Sequence, residues 1–332
     1  MHSLSYWKNI FKKFACHRVL VIGDMMLDQY LMGRVSRISP EAPVPVVDVQ
    51  SEKFFPGGAA NVARNLRSLS AKVTVLGIIG TDATGRKLNE TLKTQGIETS
   101  GLLKDSTRPT TIKTRVIAQH QQVVRFDRES RALITPSLFR KALEYVDRVI
   151  PRVDAVIFED YGKGFIQQDF LDACIKIAQD SQILTFADPN AHHRVNYHDL
   201  TGITPNRSEA FWMVREPVCD PLPNPLEDTP LLEVGQHLLH KMRIHNVLIT
   251  LGEHGMCLFR ENHQPHHIPT AAQEVFDVSG AGDTAISAFA LGLCSGLDPI
   301  SAAHLSNQAA GIVVGKAGTA TVTLEELLHR LA

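Results

Sequence analysis

Residues 73–95 read VTVLGIIGTDATGRKLNETLKTQ, an apolar run from Val73 to Ile79 followed, across a polar turn, by a segment of helical period from Gly85 to Gln95. The first part has the length and branched content of a buried strand, and the second that of a short helix. The pairing recurs along the chain. Val19 to Ile22, Ala155 to Phe158, Ile183 to Ala187 and Val247 to Leu251 are strand-like, while Ala59 to Ser70, Pro136 to Val149, Gln167 to Ala178 and Leu231 to Arg243 are helix-like. Such alternation predicts an α/β fold with a mostly parallel central sheet and helices on both faces. Ligands of such sheets gather at the carboxyl ends of the strands.

Two segments break the rhythm. Residues 29–50 (QYLMGRVSRISPEAPVPVVDVQ) and 112–127 (IKTRVIAQHQQVVRFD) have β-type composition, and the prolines of the first do not suit a helix-covered parallel strand. They predict a small β-sheet lid projecting from the main sheet. Its exposed edges would pair with those of a second copy, giving a homodimer. Residues 216–229 (EPVCDPLPNPLEDT) read as a surface loop. All 332 residues are expected to form one domain with the lid as an appendage.

With 34 Lys and Arg against 35 Asp and Glu, the formal charge is −1, which argues against a nucleic-acid binder driven by a basic field. Five cysteines stand at 16, 174, 219, 257 and 294 without a CxxC pair, so neither a disulfide framework nor a zinc cluster is suggested, and a reducing cytoplasm fits. The longest apolar stretch, Ala285 to Cys294, is interrupted by Ser287 and Gly292 and is too short to span a bilayer. Trp7, Ile10, Phe11 and Phe14 share one helical face beside Lys8, Lys12 and Lys13. A helix packed on its own domain is expected there, in preference to one lying on a membrane surface. No signal peptide is read at the N-terminus.

The segment Asp277-Val278-Ser279-Gly280-Ala281-Gly282-Asp283-Thr284 precedes that apolar stretch. A helix starting here would aim free N–H groups at an anion such as a phosphate, with Asp283 beside them to take a proton from an attacking hydroxyl. The same residues also suit a tight turn with Asp283 as a helix cap. Gly57-Gly58-Ala59-Ala60-Asn61 opens another helix, where backbone can approach a polar ligand and Asn61 can both donate and accept; a plain turn is the competing account. Asn206 and Glu209, within Thr204-Pro205-Asn206-Arg207-Ser208-Glu209, would share a helix face as oxygen ligands for Mg²⁺ or its waters, or form an N-terminal capping box. No GxxxxGK[ST] loop occurs, and the first strand runs into Gly23-Asp24-Met25-Met26-Leu27-Asp28 instead of GxGxxG, which disfavours P-loop nucleotidases and dinucleotide oxidoreductases.

From about Arg18 onward the chain resembles the ribokinase-like (phosphofructokinase B type) sugar kinases, through GGAANVARN, TPNRSE, ITLGEHG and DVSGAGDT. Within that family GDMMLDQY, SRISPEAPVPV, TRVIAQHQQVVRFD, DYGKG and GIVVGKAGTATV are similar to the bacterial branch acting on D-glycero-β-D-manno-heptose 7-phosphate. The resemblance implies ATP-dependent phosphorylation of the anomeric hydroxyl to the 1,7-bisphosphate, for ADP-heptose and the lipopolysaccharide core. It implies Asp283 as base, with Gly280, Ala281 and Gly282 as the backbone anion hole. Asn206 and Glu209, with Arg207 and Ser208 between them, would organise Mg²⁺ and the ATP phosphates; Thr250, Gly252 and Asn307 would line the nucleotide site. Asp28, Gly57, Gly58, Asn61 and Asp160 would face the sugar. Arg37, Lys113, Arg115 and Lys163 are the candidates for its distal phosphate, since Arg and Lys are the residues that grip phosphate.

The chain departs from the family pattern in places. Val278 and Ser279 stand where threonines are frequent, so a monovalent cation near Asp277 would depend on backbone carbonyls. Asp188-Pro189-Asn190 lacks the lysine frequent in the heptose branch. Many relatives carry a C-terminal adenylyltransferase with an HxGH motif; here the chain reaches Ala332 without one, and a separate adenylyltransferase is expected. The alternatives are a kinase for another sugar or sugar phosphate, and a binding protein that keeps the fold without catalysis.

Overall fold

Each apolar run described above forms a strand and each periodic segment a helix. The computed structural model describes residues 3–119, 121–190, 192–193 and 195–331. The chain opens with α1 (Leu4–Phe14) and β1 (Arg18–Gly23), followed by two long strands, β2 (Met25–Ile38) and β3 (Pro45–Gly58), and by α2 (Ala59–Ser68). Next come β4 (Lys72–Gly80), α3 (Ala83–Thr94), β5 (Glu98–Asp105), β6 (Thr111–Ala118) and β7 (Gln121–Arg128). The middle holds α4 (Pro136–Val149), β8 (Ala155–Glu159), α5 (Gln168–Asp180), β9 (Leu184–Asp188), β10 (Gly202–Ile203), α6 (Arg207–Val214) and α7 (Thr229–Lys241). The last part is β11 (Asn246–Thr250), β12 (Met256–Arg260), β13 (His266–Ile268), α8 (Ala281–Cys294), α9 (Pro299–Val313) and α10 (Leu324–Leu331).

The main sheet runs β13-β12-β11-β10-β9-β8-β1-β4-β5, parallel from β11 to β5, with β12 and β13 antiparallel at one edge. Alternate strand residues point to opposite faces, which divides the core in two. Val19, Val21, Val73, Val75 and Ile157 pack with α1, α2, α8 and α9 on one side, and Leu20, Ile22, Leu76, Val156 and Phe158 with α4, α5 and α7 on the other. The Trp7, Ile10, Phe11 and Phe14 face of α1 is buried in the first of these clusters, as its pattern predicts. In α8 every residue from Asp283 to Gly292 is buried, and this explains why that segment is apolar without a polar face. No helix among the described residues is long and apolar enough to cross a membrane.

The second sheet, ordered β3-β2-β6-β7, is the expected lid. It is longer than the segments 29–50 and 112–127: its strands cover 25–38, 45–58, 111–118 and 121–128, and His120 lies outside the described residues. The cause is continuous pairing. β2 and β3 stay in antiparallel register back to Met25 and Gly58, with two local shifts, and β6 joins β2 in parallel from Met26 and Thr111. The lid therefore leaves the main sheet at the carboxyl end of β1 and returns through Gly57 and Gly58 straight into α2. Strands β5, β10 and β13, short or part-exposed, lack the continuous apolar runs that mark the others.

Candidate active site

Gly280 is the N-cap of α8 and adopts φ 81°, a left-handed conformation that favours glycine. A side chain there would also strike the Asn61 amide, 2.9 Å from an ideal Cβ. This turn directs the first N–H groups of α8 outward and sets Asp283 in its first turn, 5% exposed. Asn61 Nδ2 donates to Asp283 Oδ2 at 2.5 Å. Behind it, Thr284 Oγ1 donates to Asn65 Oδ1 at 2.8 Å and Asn65 Nδ2 to the Asn61 carbonyl at 3.0 Å, so α2 and α8 are fastened together at the carboxylate. Asn61 is fully buried; its Nδ2 holds Asp283, while its Oδ1 has no hydrogen-bond partner in the protein.

Glu159 and Asp188 end the adjacent strands β8 and β9 in register, and together with Asp283 they bring carboxylate oxygens within 4.8 Å of one another. Burial, then the neighbouring carboxylates, pushes Glu159 and Asp188 well above the usual acid range. Burial also lifts Asp283 to about 6 and Glu209 to about 7. The buried Glu159 Oε2 has no hydrogen-bond partner in the protein. Clustered, dehydrated oxygen donors of like charge suit a hard divalent cation such as Mg²⁺, which would satisfy the orphaned oxygen and relieve the repulsion.

Asn206 and Glu209 form the capping box of α6: Asn206 Oδ1 accepts from the Glu209 N–H at 3.0 Å, and Glu209 Oε2 from the Asn206 N–H at 2.8 Å. The two accounts of this motif are compatible, because Glu209 is also near enough to raise Asp188. Arg207 is a correction. Its guanidinium pairs with Asp228 at 2.8 Å, lies over the Phe211 ring and donates to the Cys219 carbonyl at 3.2 Å, so it is engaged in anchoring the proline-rich loop. Ser208 is exposed at the start of α6. Thr250 ends β11 and bridges Asn206 in parallel, Gly252 follows in open space at φ 60°, and Asn307 is buried with its amide donating to the Pro269 carbonyl at 2.7 Å. Asp277 accepts from the N–H groups of Ser279 at 2.9 Å and Gly318 at 3.1 Å, bracing the loop ahead of α8.

On the lid side, Asp28 Oδ1 accepts from Arg115 Nη1 at 2.5 Å, and a Cβ at Gly57 would fall 2.5 Å from Asp28 Oδ2. Gly57 is thus required by the close approach of Asp28, and Arg115 is engaged with that carboxylate. Lys113 lies over the Tyr161 ring at 5.5 Å, and burial, then the nearby Lys163 ammonium, lowers its pKa. Lys163 Nζ is 2.7 Å from Glu129 Oε2. Arg37 is exposed far along β2, opposite Val46, and is not brought to this group. Asp160 is another correction: Oδ2 accepts from Tyr197 at 2.6 Å and pairs with His193 Nδ1 at 2.6 Å, and Oδ1 accepts from the Gly162 N–H at 2.8 Å, so both oxygens serve the loop. Tyr161, its neighbour, reaches the Asp283 carboxylate with its hydroxyl instead.

The model of the pfkB family of carbohydrate kinases matches residues 17–327. The chain belongs to this family. It is a pfkB carbohydrate kinase with relatives named bifunctional protein HldE: one from Pelobacter propionicus is 40% identical over 325 residues, 98% of this chain and 65% of that protein. One from Desulfatibacillum aliphaticivorans is 43% identical over 318 residues, 96% of this chain and 64% of that protein. The chain thus spans a little under two thirds of these relatives' length. Among solved structures, Escherichia coli phosphofructokinase-2 in complex with substrates and products superposes with a TM-score of 0.77 at 18% identity, covering 94% of this chain and 97% of the other. Arabidopsis thaliana ribokinase complexed with ribose and ATP gives 0.74 at 19% identity, covering 95% and 98%. At such identity these two establish the shared fold. In this pfkB chain, sequence reasoning overlooked Glu159, Asp188 and Tyr161. The signal for the two acids was available, since each is the last residue of a strand whose carboxyl end faces the ligand side.

Proposed function

We propose that the protein transfers the γ-phosphoryl group of ATP to the anomeric hydroxyl of D-glycero-β-D-manno-heptose 7-phosphate. The observation that carries the transfer chemistry is the meeting of the buried Asp283 carboxylate, the Gly280 and Gly282 N–H groups at the start of α8, where that of Ala281 donates to the Val278 carbonyl at 3.2 Å, and the acidic group of Glu159, Asp188 and Glu209. Asp283 takes the proton of the attacking hydroxyl, while the backbone of Gly280, Ala281 and Gly282 faces the charge on the transferring group. Glu159, Asp188 and Glu209 would hold Mg²⁺, and Mg²⁺ would neutralise phosphate charge. Thr250, Gly252 and Asn307 border the nucleotide, and Asp277 would sit beside a monovalent cation.

The choice of a heptose 7-phosphate is supported by two observations. The relatives near 40% identity are named HldE, and the lid root holds Lys113 and Lys163 as close, partly dehydrated ammonium groups. Two lysines forced together are stabilised by a bound anion. An adenylyltransferase would act later on the route to ADP-heptose, and the lid edges would join two copies. A kinase for an unphosphorylated sugar is the second reading, favoured by the ion pairs that already engage Arg115 with Asp28 and Lys163 with Glu129. ATP turnover against a panel of sugars and sugar phosphates, with the product's new phosphate located by phosphorus NMR, tests the proposal. A 1,7-bisphosphate is expected; turnover of other sugars but not of the heptose phosphate would refute it.

A further inference from the structure

Asp24 stands alone between β1 and β2, where the chain leaves the main sheet for the lid. Its side chain is 4% exposed, and burial, helped by the nearby Asp160 carboxylate, lifts its pKa to about 6. A carboxylate kept at such a position is costly unless its oxygens are hydrogen-bonded. A single oxygen, Oδ2, accepts from the backbone N–H of Tyr161 at 2.9 Å and from that of Lys163 at 3.0 Å. The Asp24 main chain is fixed too: its N–H donates to the Glu159 carbonyl at 3.2 Å, and its carbonyl accepts from the Ala59 N–H at 3.2 Å. One residue therefore ties the end of β8, the lid's return into α2 and the 160–164 loop to one another.

That loop has little regularity of its own. Gly162 and Gly164 adopt φ 64° and 85°, and its other ties include the Asp160 turn, the Ile134 N–H, which donates to the Gly164 carbonyl at 3.3 Å, and Arg108 Nη1, which donates to the Lys163 carbonyl at 3.2 Å. Tyr161 and Lys163, the two residues that Asp24 grips, are those whose side chains meet Lys113 and Glu129 at the lid root. We propose that Asp24 is a positioning residue: through Oδ2 it holds Tyr161 and Lys163 so that the Lys163 ammonium, beside that of Lys113, meets the distal phosphate of the sugar. This rests on the sugar-phosphate reading above. Because both donors meet the same oxygen, the site needs an acceptor and not a charge. The amide oxygen of Asn supplies one, and Ala does not.

The test compares Asp24→Ala, Asp24→Asn, Lys163→Met and the double variant Asp24→Ala with Lys163→Met, measuring kcat and KM for heptose 7-phosphate and for ATP. Asp24→Ala should raise KM for the sugar phosphate roughly tenfold to a hundredfold with KM for ATP nearly unchanged, as expected when a binding group is misplaced. Asp24→Asn should restore most of the loss, and the double variant should be no worse than Lys163→Met alone. If Asp24→Ala does not fold, Asp24→Ser, whose hydroxyl is too short to reach both donors, gives the same readout. A raised KM in Lys163→Met with an unchanged one in Asp24→Ala overturns this inference alone. So does an Asn variant as poor as the Ala variant, or additive losses in the double variant. An unchanged KM in Lys163→Met takes Lys163 out of the phosphate site and overturns the inference, and equal kcat/KM of the parent protein for heptose 7-phosphate and unphosphorylated heptose overturns the sugar-phosphate reading and the inference with it.

Discussion

As the proposed base, Asp283 must be basic enough to take a proton and yet stay ionised beside Glu159 and Asp188; burial raises its basicity, and the Asn61 amide and Tyr161 hydroxyl favour the ionised form by donating to it. Asp283→Asn keeps the shape and loses the basicity. Its kcat should fall by roughly 10²–10⁴-fold with KM for ATP little changed, and parent-like turnover would remove Asp283 from the role of base. Asp283 was legible in the sequence because glycines, an acid and an apolar helix stand in a row. Glu159 was not. It is followed by Asp160, and only the phase of β8 decides that Glu159 joins the cluster while Asp160 turns to His193 and Tyr197. Arg207 misled for a similar reason: the helix it starts was predictable, but the partner of its guanidinium, Asp228, comes from a loop whose path local pattern cannot give.

Among the elements, the parallel strands and their covering helices were legible because full burial leaves continuous apolar runs. The lid was recognised by composition, but its extent was not, since β2 and β3 are buried at the ends that meet the main sheet near Asp24 and become exposed toward their far ends, so no break marks where the lid begins. β7 is exposed along its whole length and carries Val123, Val124 and Phe126 at 39%, 48% and 54% exposure. An edge strand with such a surface invites pairing, which is the physical basis for the proposed lid-to-lid dimer. Phe126→Asp should therefore shift the protein from dimer to monomer in light scattering at micromolar concentration. A parent protein that is already monomeric under those conditions would exclude the lid dimer.

At the scale of the whole molecule, several acids share one sign of shift. Asp24 and Asp283 are lifted to about 6 and Glu209 to about 7, chiefly by burial, and the hydrogen bond to Asp160 raises His193. Groups whose folded-state pKa lies above the unfolded value bind protons on folding, so their contribution is present at low pH and is lost as pH rises through the folded pKa. The metal-free protein should accordingly become more stable as pH falls from 8 to 6, before acids of lowered pKa such as Asp82 and Asp105 begin to protonate. Mg²⁺ should stabilise it most at pH 8, where the cluster is most charged. Thermal unfolding at the two pH values, with and without Mg²⁺, checks both statements, and a midpoint that drops on acidification to pH 6 would contradict the shifts.

In the proposed function catalysis and substrate choice are separable, because Asp283 lies at the start of α8 while Lys113 and Lys163, proposed to hold a distal phosphate, stand at the lid root on β6 and the 160–164 loop. The most direct measurement is therefore the ratio of kcat/KM for heptose 7-phosphate to that for the unphosphorylated heptose, with ribose as a further control. Cations that hold the distal phosphate make the ratio large, with the phosphorylated sugar used far better, and neutralising Lys113 or Lys163 should lower it while leaving KM for ATP nearly unchanged. Equal kcat/KM for the phosphorylated and unphosphorylated sugars would contradict the account.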